Sequence, residues 1–245
     1  MKTNRLRYLV LGELHRLVKY KVIHISLLLS VLWSMILLFV KSDIFSVILP
    51  MILLVDASMM SMMYIGSVMF FEKKESTIST MLVTPSTHSE MILSKVFANT
   101  IHNVLSSGLV ILVFVFIKDI HVNAITIIIS LVVISSFHTI LGLYLSYFQK
   151  DFTSLIMTIS VFSMLLLIPT LLISLNVIQG QFWEYLLLIN PVNASNVMIL
   201  NSFMVQPINL QFIISFSYLL ILGFCLYRYF ALPQFKNYAI SISGV

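Results

Sequence analysis

An all-α membrane protein is the fold class this chain predicts, and three observations carry that expectation. Hydrophobic residues make up 60% of the chain and charged residues 9%, with a mean hydropathy of +1.05; a soluble domain carries about 25% charged residues. Six apolar stretches follow one another, each of about 20 residues or more, the length a helix needs to cross the hydrocarbon core and too long for barrel strands. Basic residues crowd the ends of these stretches mostly on one side, as the membrane orientation rule requires. The 245 residues are therefore expected to form one transmembrane domain, embedded in a lipid bilayer. The net charge of +5 belongs to membrane flanks and headgroups and does not point to nucleic acid. Cys225 is the single cysteine, so no internal disulfide can form.

Residues 1–21 carry Lys2, Arg5, Arg7, Arg16, Lys19 and Lys21 against one acid, Glu13. Leu6, Leu9, Val10, Leu14, Leu17 and Val18 recur at helical spacing, which predicts an amphipathic helix in the headgroup plane with its basic side to water. A signal peptide also sets a basic region before an apolar one. Here the apolar stretch lacks a small-residue cleavage pattern and more spans follow, so a retained interfacial helix is expected.

The spans are expected at 22–40, 44–71, 96–117, 122–148, 154–176 and 210–232. Short turns at Lys41-Ser42-Asp43 and Lys118-Asp119-Ile120-His121 join them on the outer side, and Gln149-Lys150-Asp151 joins them on the inner side. The second span exceeds the required length, so it tilts or projects into water, and it contains Pro50 and a carboxylate, Asp56. Residues 177–209 break the pattern. Their apolar pieces, 185–189 and 197–205, are too short to span, and Asn190-Pro191 separates them. That predicts an outer re-entrant hairpin carrying Trp183 as an interfacial anchor and Glu184 as solvated surface or a headgroup contact. With six spans, Lys2, Arg5, Arg7, Arg16, Lys19, Lys21, Lys73, Lys74, Lys95, Lys150, Arg228 and Lys236 lie inside, and only Lys41 and Lys118 outside. Both termini are then cytoplasmic.

Between the second and third spans lies residues 72–95, EKKESTISTMLVTPSTHSEMILSK, which hold Glu72, Lys73, Lys74, Glu75, Glu90 and Lys95. Ser76 or Thr77 can cap a helix and Pro85 should end it, with a second start near Ser86 or Ser89. A mere connection needs only a few residues, so the segment is expected to be a docking element presented to a partner.

Site chemistry on this chain is sparse. No glycine is followed by lysine, so the phosphate loop GxxxxGK[ST] is absent; HExxH and GxSxG are absent as well. The histidines His24, His102 and His138 stand in different spans without ligand spacing, and no metal site is expected. Asp56 lies about 18 Å along its helix from Ile44. A carboxylate at that depth faces a translocation path or a cationic substrate group, or else it bonds a Ser, Tyr or His on a neighbouring helix. Met59 and Met63, in a methionine-rich turn beside it, are candidate path residues or adaptable packing.

Phe71-Glu72-Lys73-Lys74-Glu75-Ser76-Thr77-Ile78, then Leu82-Val83-Thr84-Pro85, then Glu90 and Ser94-Lys95, resemble the cytoplasmic segment of type-2 ABC exporter permeases, with Ser76 standing where glycine is common. Ile189-Asn190-Pro191 is similar to that family's hairpin before the last span. Val55-Asp56 ahead of Phe70-Phe71-Glu72-Lys73 resembles the branch labelled fluoroquinolone export permeases. The resemblance implies six spans per subunit in a bacterial plasma membrane and a second permease subunit, identical or not. It also implies a separate cytoplasmic ABC ATPase that carries the ATP and Mg, with no cofactor on this chain. Coupling would run through Glu72, Lys73, Lys74, Glu75, Thr77, Thr84, Pro85, Glu90 and Lys95. The cargo would be a drug, a toxic peptide or another amphipathic molecule. The chain would be a transport subunit rather than an enzyme. Three other readings remain open: a non-transporting immunity or sensor subunit of an ABC complex, a stand-alone ion-coupled carrier, and an intramembrane peptidase. A carrier would carry several intramembrane charges and paired helix breaks, and a peptidase would need acid or histidine pairs that this chain lacks.

Overall fold

The computed structural model describes residues 2–39, 42–118, 122–175, 177–187, 189–204 and 208–243. Its helices are α1 (Lys2–Lys19), α2 (Val22–Phe39), α3 (Ser42–Val55), α4 (Ser61–Lys74), α5 (Thr77–Leu82), α6 (His88–Lys118), α7 (Ala124–Ser146), α8 (Phe152–Ser174), α9 (Gln181–Leu187), α10 (Pro191–Asn201), α11 (Leu210–Cys225) and α12 (Leu232–Ser243). A π-helical turn, Asp56–Met60, fuses α3 to α4, and another, Leu226–Ala231, fuses α11 to α12. Among the described residues six helices are long and apolar enough to cross a membrane: Val22–Phe39, Ile48–Lys74, His88–Phe116, Ala124–Ser146, Phe152–Ser174 and Leu210–Ala239. The chain is thus all-helical and built as a multi-pass membrane protein. Lys41 and residues 119–121 of the expected outer turns lie outside the described residues, and α3 already begins at Ser42.

Burial sorts the spans into a centre and a rim. The windows on Ile48–Lys74 and Ala124–Ser146 are 67% and 61% buried, whereas those on Val22–Phe39, Phe152–Ser174 and Leu210–Ala239 are 17–22% buried. The rim helices turn Leu28, Val31, Leu165, Ile168, Ile221 and Phe224 outward, as lipid contact demands. At the centre α4 and α7 approach backbone to backbone. A Cβ on Gly142 would sit 2.6 Å from Met62 Cα and 2.8 Å from Met62 O. Small residues are what permit such contact where the surrounding solvent is as apolar as the side chains.

The segment after the second span forms as its residues demand. α4 runs on to Lys74, three residues past the expected boundary. Ser76 then takes a left-handed backbone, φ 55°, and stands at the start of α5 without a side-chain cap. The expected capping bond is therefore absent. The left-handed conformation is one glycine adopts at least cost, and here a serine takes it. Thr84 and Pro85 break the chain. Thr87 and Glu90 then form a reciprocal capping box, Thr87 N donating to Glu90 Oε2 at 2.8 Å and Glu90 N to Thr87 Oγ1 at 3.2 Å. That box starts α6 at His88, so the third span begins eight residues earlier than 96.

The chain beyond the expected last span, and residues 177–209, complete the bundle. The stretch after the last span is no loose tail. Pro233 has no N–H to close an i→i−4 bond, and the π-turn lies directly before it. α12 then continues, burying Phe235, Tyr238 and Ala239 against Ile78, Met81, Met91 and Tyr147. Residues 177–209 supply two short helices around a break. Asn190 caps α10 through Val192 N, 2.9 Å, and Pro191 opens the helix. The Asn190 amide also donates to Leu166 O at 2.7 Å and Thr170 Oγ1 at 3.2 Å, beside Pro169, which loosens α8. Leu166 lies eight residues, about 12 Å, short of the Ser174 end of α8. The break between α9 and α10 is therefore bonded to α8 about two turns short of that helix's end.

Gly142→Ala is expected to cost about 1–3 kcal/mol by overpacking against a backbone that cannot yield. Gly223→Ala, whose Cβ would meet only Phe137 at 3.5 Å, should be tolerated. Thermal unfolding of the two variants in detergent checks the contrast.

Candidate functional site: a buried charge cluster and the polar face of α6

α1 meets the chain again through charge. Glu13 stands on the apolar stripe of α1, in register with Leu6, Val10 and Leu17, so it is carried inward with them. It is 2% exposed, Glu72 at the end of α4 is 0% exposed, and Lys95 near the start of α6 is 2% exposed. Lys95 Nζ lies 2.6 Å from both Glu72 carboxylate oxygens and 3.0 and 3.1 Å from those of Glu13. Arg16 Nη1 closes the group at 2.5 Å from Glu13 Oε1 and 3.3 Å from Glu72 Oε1. Two acids and two bases thus compensate one another where water is excluded. Without such pairing each buried charge would cost several kcal/mol.

Further contacts clamp α1 along the same segment. Lys19 Nζ reaches Glu75 Oε2 at 2.5 Å, and Tyr20 Oη donates to the same oxygen at 3.0 Å. The Lys19 hydrogen bond, helped by Tyr20, holds the Glu75 carboxyl below its ordinary range. Burial, with Glu75 beside it, pushes the Tyr20 phenol up to about 12. Arg5 donates to Pro85 O at 2.7 Å and lies 3.8 Å from Glu90.

These positions divide the residues expected to couple to a partner. Glu72 and Lys95 are buried and paired within the chain, so neither side chain reaches a partner in this conformation. Lys73 donates to Gln149 O at 3.2 Å, Thr77 is half-buried, and Glu90 is engaged in its capping box. Lys74, Glu75, Val83, Thr84 and Pro85 are exposed. Glu13, Arg16 and Tyr20 belong to the same constellation and were not singled out from the sequence. The available signal was an acid on the apolar stripe of α1.

From Lys95 a polar face continues along α6 in steps of four. Asn99 Nδ2 donates to Thr139 Oγ1 at 2.7 Å and Ser61 O at 3.1 Å. Asn103 Nδ2 donates to Asp56 O at 3.0 Å, and its carbonyl oxygen accepts from Ser135 Oγ at 2.5 Å. Ser107 Oγ donates to the Asp56 carboxylate. The face spans about 18 Å from Lys95 to Ser107 and joins α4, the π-turn, α6 and α7. Asp56 is 4% exposed, and its carboxylate accepts from Ser107 on the neighbouring helix. Met59 and Met63 are half-buried, with Met63 packed on the main core. Trp183 is 41% exposed, and the Glu184 side chain lies outside the described residues. Tyr64 Oη, Asn99 Oδ1 and His102 Nε2 are buried and find no hydrogen-bond partner among the described residues, and the Tyr64 and His102 rings lie 5.4 Å apart. Among the described residues no three His, Cys, Asp or Glu side chains gather as a metal site would need.

Lys95→Met leaves two carboxylates buried with one guanidinium and should destabilise by about 3–5 kcal/mol. α1 lies outside the spanning helices, and burial raises the Glu13 carboxyl from 4.5 to about 7, with Lys95 opposing and Glu72 assisting. A carboxyl raised in the folded state contributes stability that is full below about 4.5 and is lost as pH rises through about 7. Unfolding temperature should therefore fall across that window in the parent, and Glu13→Gln should flatten the slope.

No protein-family model matches the chain, and no curated protein or solved structure matches it either.

Proposed function

We propose that this chain is the membrane-spanning subunit of an ATP-driven exporter, coupled through residues 72–95 to an ATPase on a separate chain. The observation that carries the reading is the cluster end of the bundle. There α5 and the Val83-Thr84-Pro85 break present an exposed edge, with Val83 84% exposed, while their flanks are bolted by buried ion pairs to α1, α4 and α6. A connection between two spans has no need of such anchorage. A lever does, because a push must reach the spans before it is lost in bending. The resemblance of residues 71–95 to the cytoplasmic segment of type-2 ABC permeases supports the same reading. A chain without a phosphate loop can draw on ATP only through a partner. ATP and Mg would reside there.

In this mechanism the basic end faces the cytoplasm, by the charge bias of the sequence. α1 lies at the inner interface, and α9–α10 form a re-entrant hairpin from the outside. Closure of the ATPase pushes on the 83–85 edge. α1, α4 and α6 then move as one body, because separating them would strand buried charges. Tilting that body against a second permease subunit opens the path. ATPase states can drive this only if they contact the edge differently. Lys74, Glu75, Val83, Thr84 and Pro85 carry the contact, and Glu72 and Lys95 hold the lever to the spans. The cargo is a drug, a toxic peptide or another amphipathic molecule.

The double variant Lys74→Glu, Val83→Asp alters only exposed side chains. It should keep the parent's unfolding temperature yet abolish ATP-dependent uptake of a fluorescent fluoroquinolone into inside-out vesicles. Full ATP-dependent uptake by the variant would refute the docking edge. Uptake by the purified chain alone, driven by an ion gradient, would refute the need for an ATPase.

A further inference from the structure

The other end of the bundle holds a cavity that the coupling machinery does not use. Its volume is about 500 Å³, and it is a groove between α8, the α9–α10 hairpin and α11. Ile173 and Ala194 floor it with apolar surface, and Asn193, Gln211, Ser215 and Tyr218 supply its polar atoms. Gln211, Ser215 and Tyr218 follow at i, i+4 and i+7, so they form one polar stripe along α11. Tyr218 Oη is committed to Ile189 O, and Asn193 Nδ2 donates to Leu187 O at 3.3 Å. The Gln211 amide and the Ser215 hydroxyl have no hydrogen-bond partner among the described residues. Gln211 is exposed at the rim and Ser215 is 8% exposed deeper in the groove. An amide and a hydroxyl turned into a groove and uncommitted to other groups are available to bond a molecule lying there.

The lining defines the occupant. Among the described residues no side chain lining the groove is charged. A phosphate or carboxylate head would find no cation among them, and an ammonium would find no acid among them. The stripe runs from the first turn of α11 at Gln211 to Tyr218, about 10 Å, which suits a head at the rim and a short apolar body beneath it. The volume lies within the range of pockets for small molecules, roughly 300–1,000 Å³. The groove also opens sideways, where Ile214 is 56% exposed, so a molecule can enter from the bilayer without first crossing water.

We propose that this groove binds one uncharged amphiphile taken from the surrounding bilayer, its hydroxyl or amide head on Gln211 and Ser215 and its tail along Ile173 and Ala194. The site needs a membrane but no ATPase, so its failure would leave the exporter reading standing, and the reverse holds as well.

Three ligands with one tail separate the effect of charge: glycerol monolaurate, dodecyl phosphate and dodecylamine. Native mass spectrometry of the purified full chain should retain one glycerol monolaurate per chain and neither charged analogue. Gln211→Leu, at an exposed position, and Ala194→Leu, which fills the floor, should each lower retention at least tenfold. Gln211→Leu should do so at an unchanged unfolding temperature. Absence of the neutral adduct, equal retention by both variants, or preference for a charged analogue would overturn the proposal. So would a chain-to-chain disulfide from Ile214→Cys in a Cys225→Ala background, because a second copy would then cover the groove.

Discussion

A single ammonium group holds one end of this helical bundle together. Lys95 Nζ sits between the carboxylates of Glu72 and Glu13, with Arg16 balancing the second acid. Three separate helices contribute, and none can leave without abandoning a charge in a water-poor space. Hydrophobic association cannot do this between helices in lipid, because lipid tails are as apolar as leucine. The cluster therefore sets a geometry that burial alone would leave loose. It also explains why α1, basic and amphipathic as it is, is docked on the spans through Leu17 and Glu13 and does not merely float on a surface.

The polar face of α6 extends that logic inward. Asn99, Asn103 and Ser107 each take a partner on another helix, and together they register α4, the π-turn and α7 against α6. The wide turn at Asp56–Met60 is part of the same arrangement. It opens the Asp56 carbonyl to the Asn103 amide while the carboxylate meets Ser107. Above Ser107 the same face of α6 becomes apolar, with Val110 and Phe114 buried. The polar track is therefore closed at that level. Among the described residues Tyr64, Asn99 and His102 keep unpaired polar atoms beside it, a cost that a second arrangement of these helices could relieve.

Much of this was legible in the residues. The six spans follow from apolar runs alone. The break at Thr84-Pro85 follows from the ring of proline, and Asn190-Pro191 parts α9 from α10 for the same reason. Span ends were less legible, because hydropathy marks where lipid could lie and not where hydrogen bonding stops. α6 begins at His88 because Thr87 and Glu90 cap each other, and hydropathy does not report that. The fate of Glu72 and Lys95 was hidden for a different reason. A charged run reads as solvated surface until the one acid of α1, placed among leucines, is seen to need a cation elsewhere. α12 carried a readable signal at Ala231, Phe235, Tyr238 and Ala239, spaced to share one face. The π-turn at Asp56–Met60 and the left-handed Ser76 leave no local mark in the sequence.

The most direct measurement of the account is a double-mutant cycle on Glu72→Gln and Lys95→Met, read as unfolding free energy in detergent. Partners in contact couple by roughly 0.5–3 kcal/mol, while independent sites add. The account predicts a favourable coupling of at least about 2 kcal/mol, with the double variant recovering much of what the lysine substitution alone loses. Simple additivity of the two losses would contradict it, and α1, α4 and α6 would then have no charged bolt to move them as one.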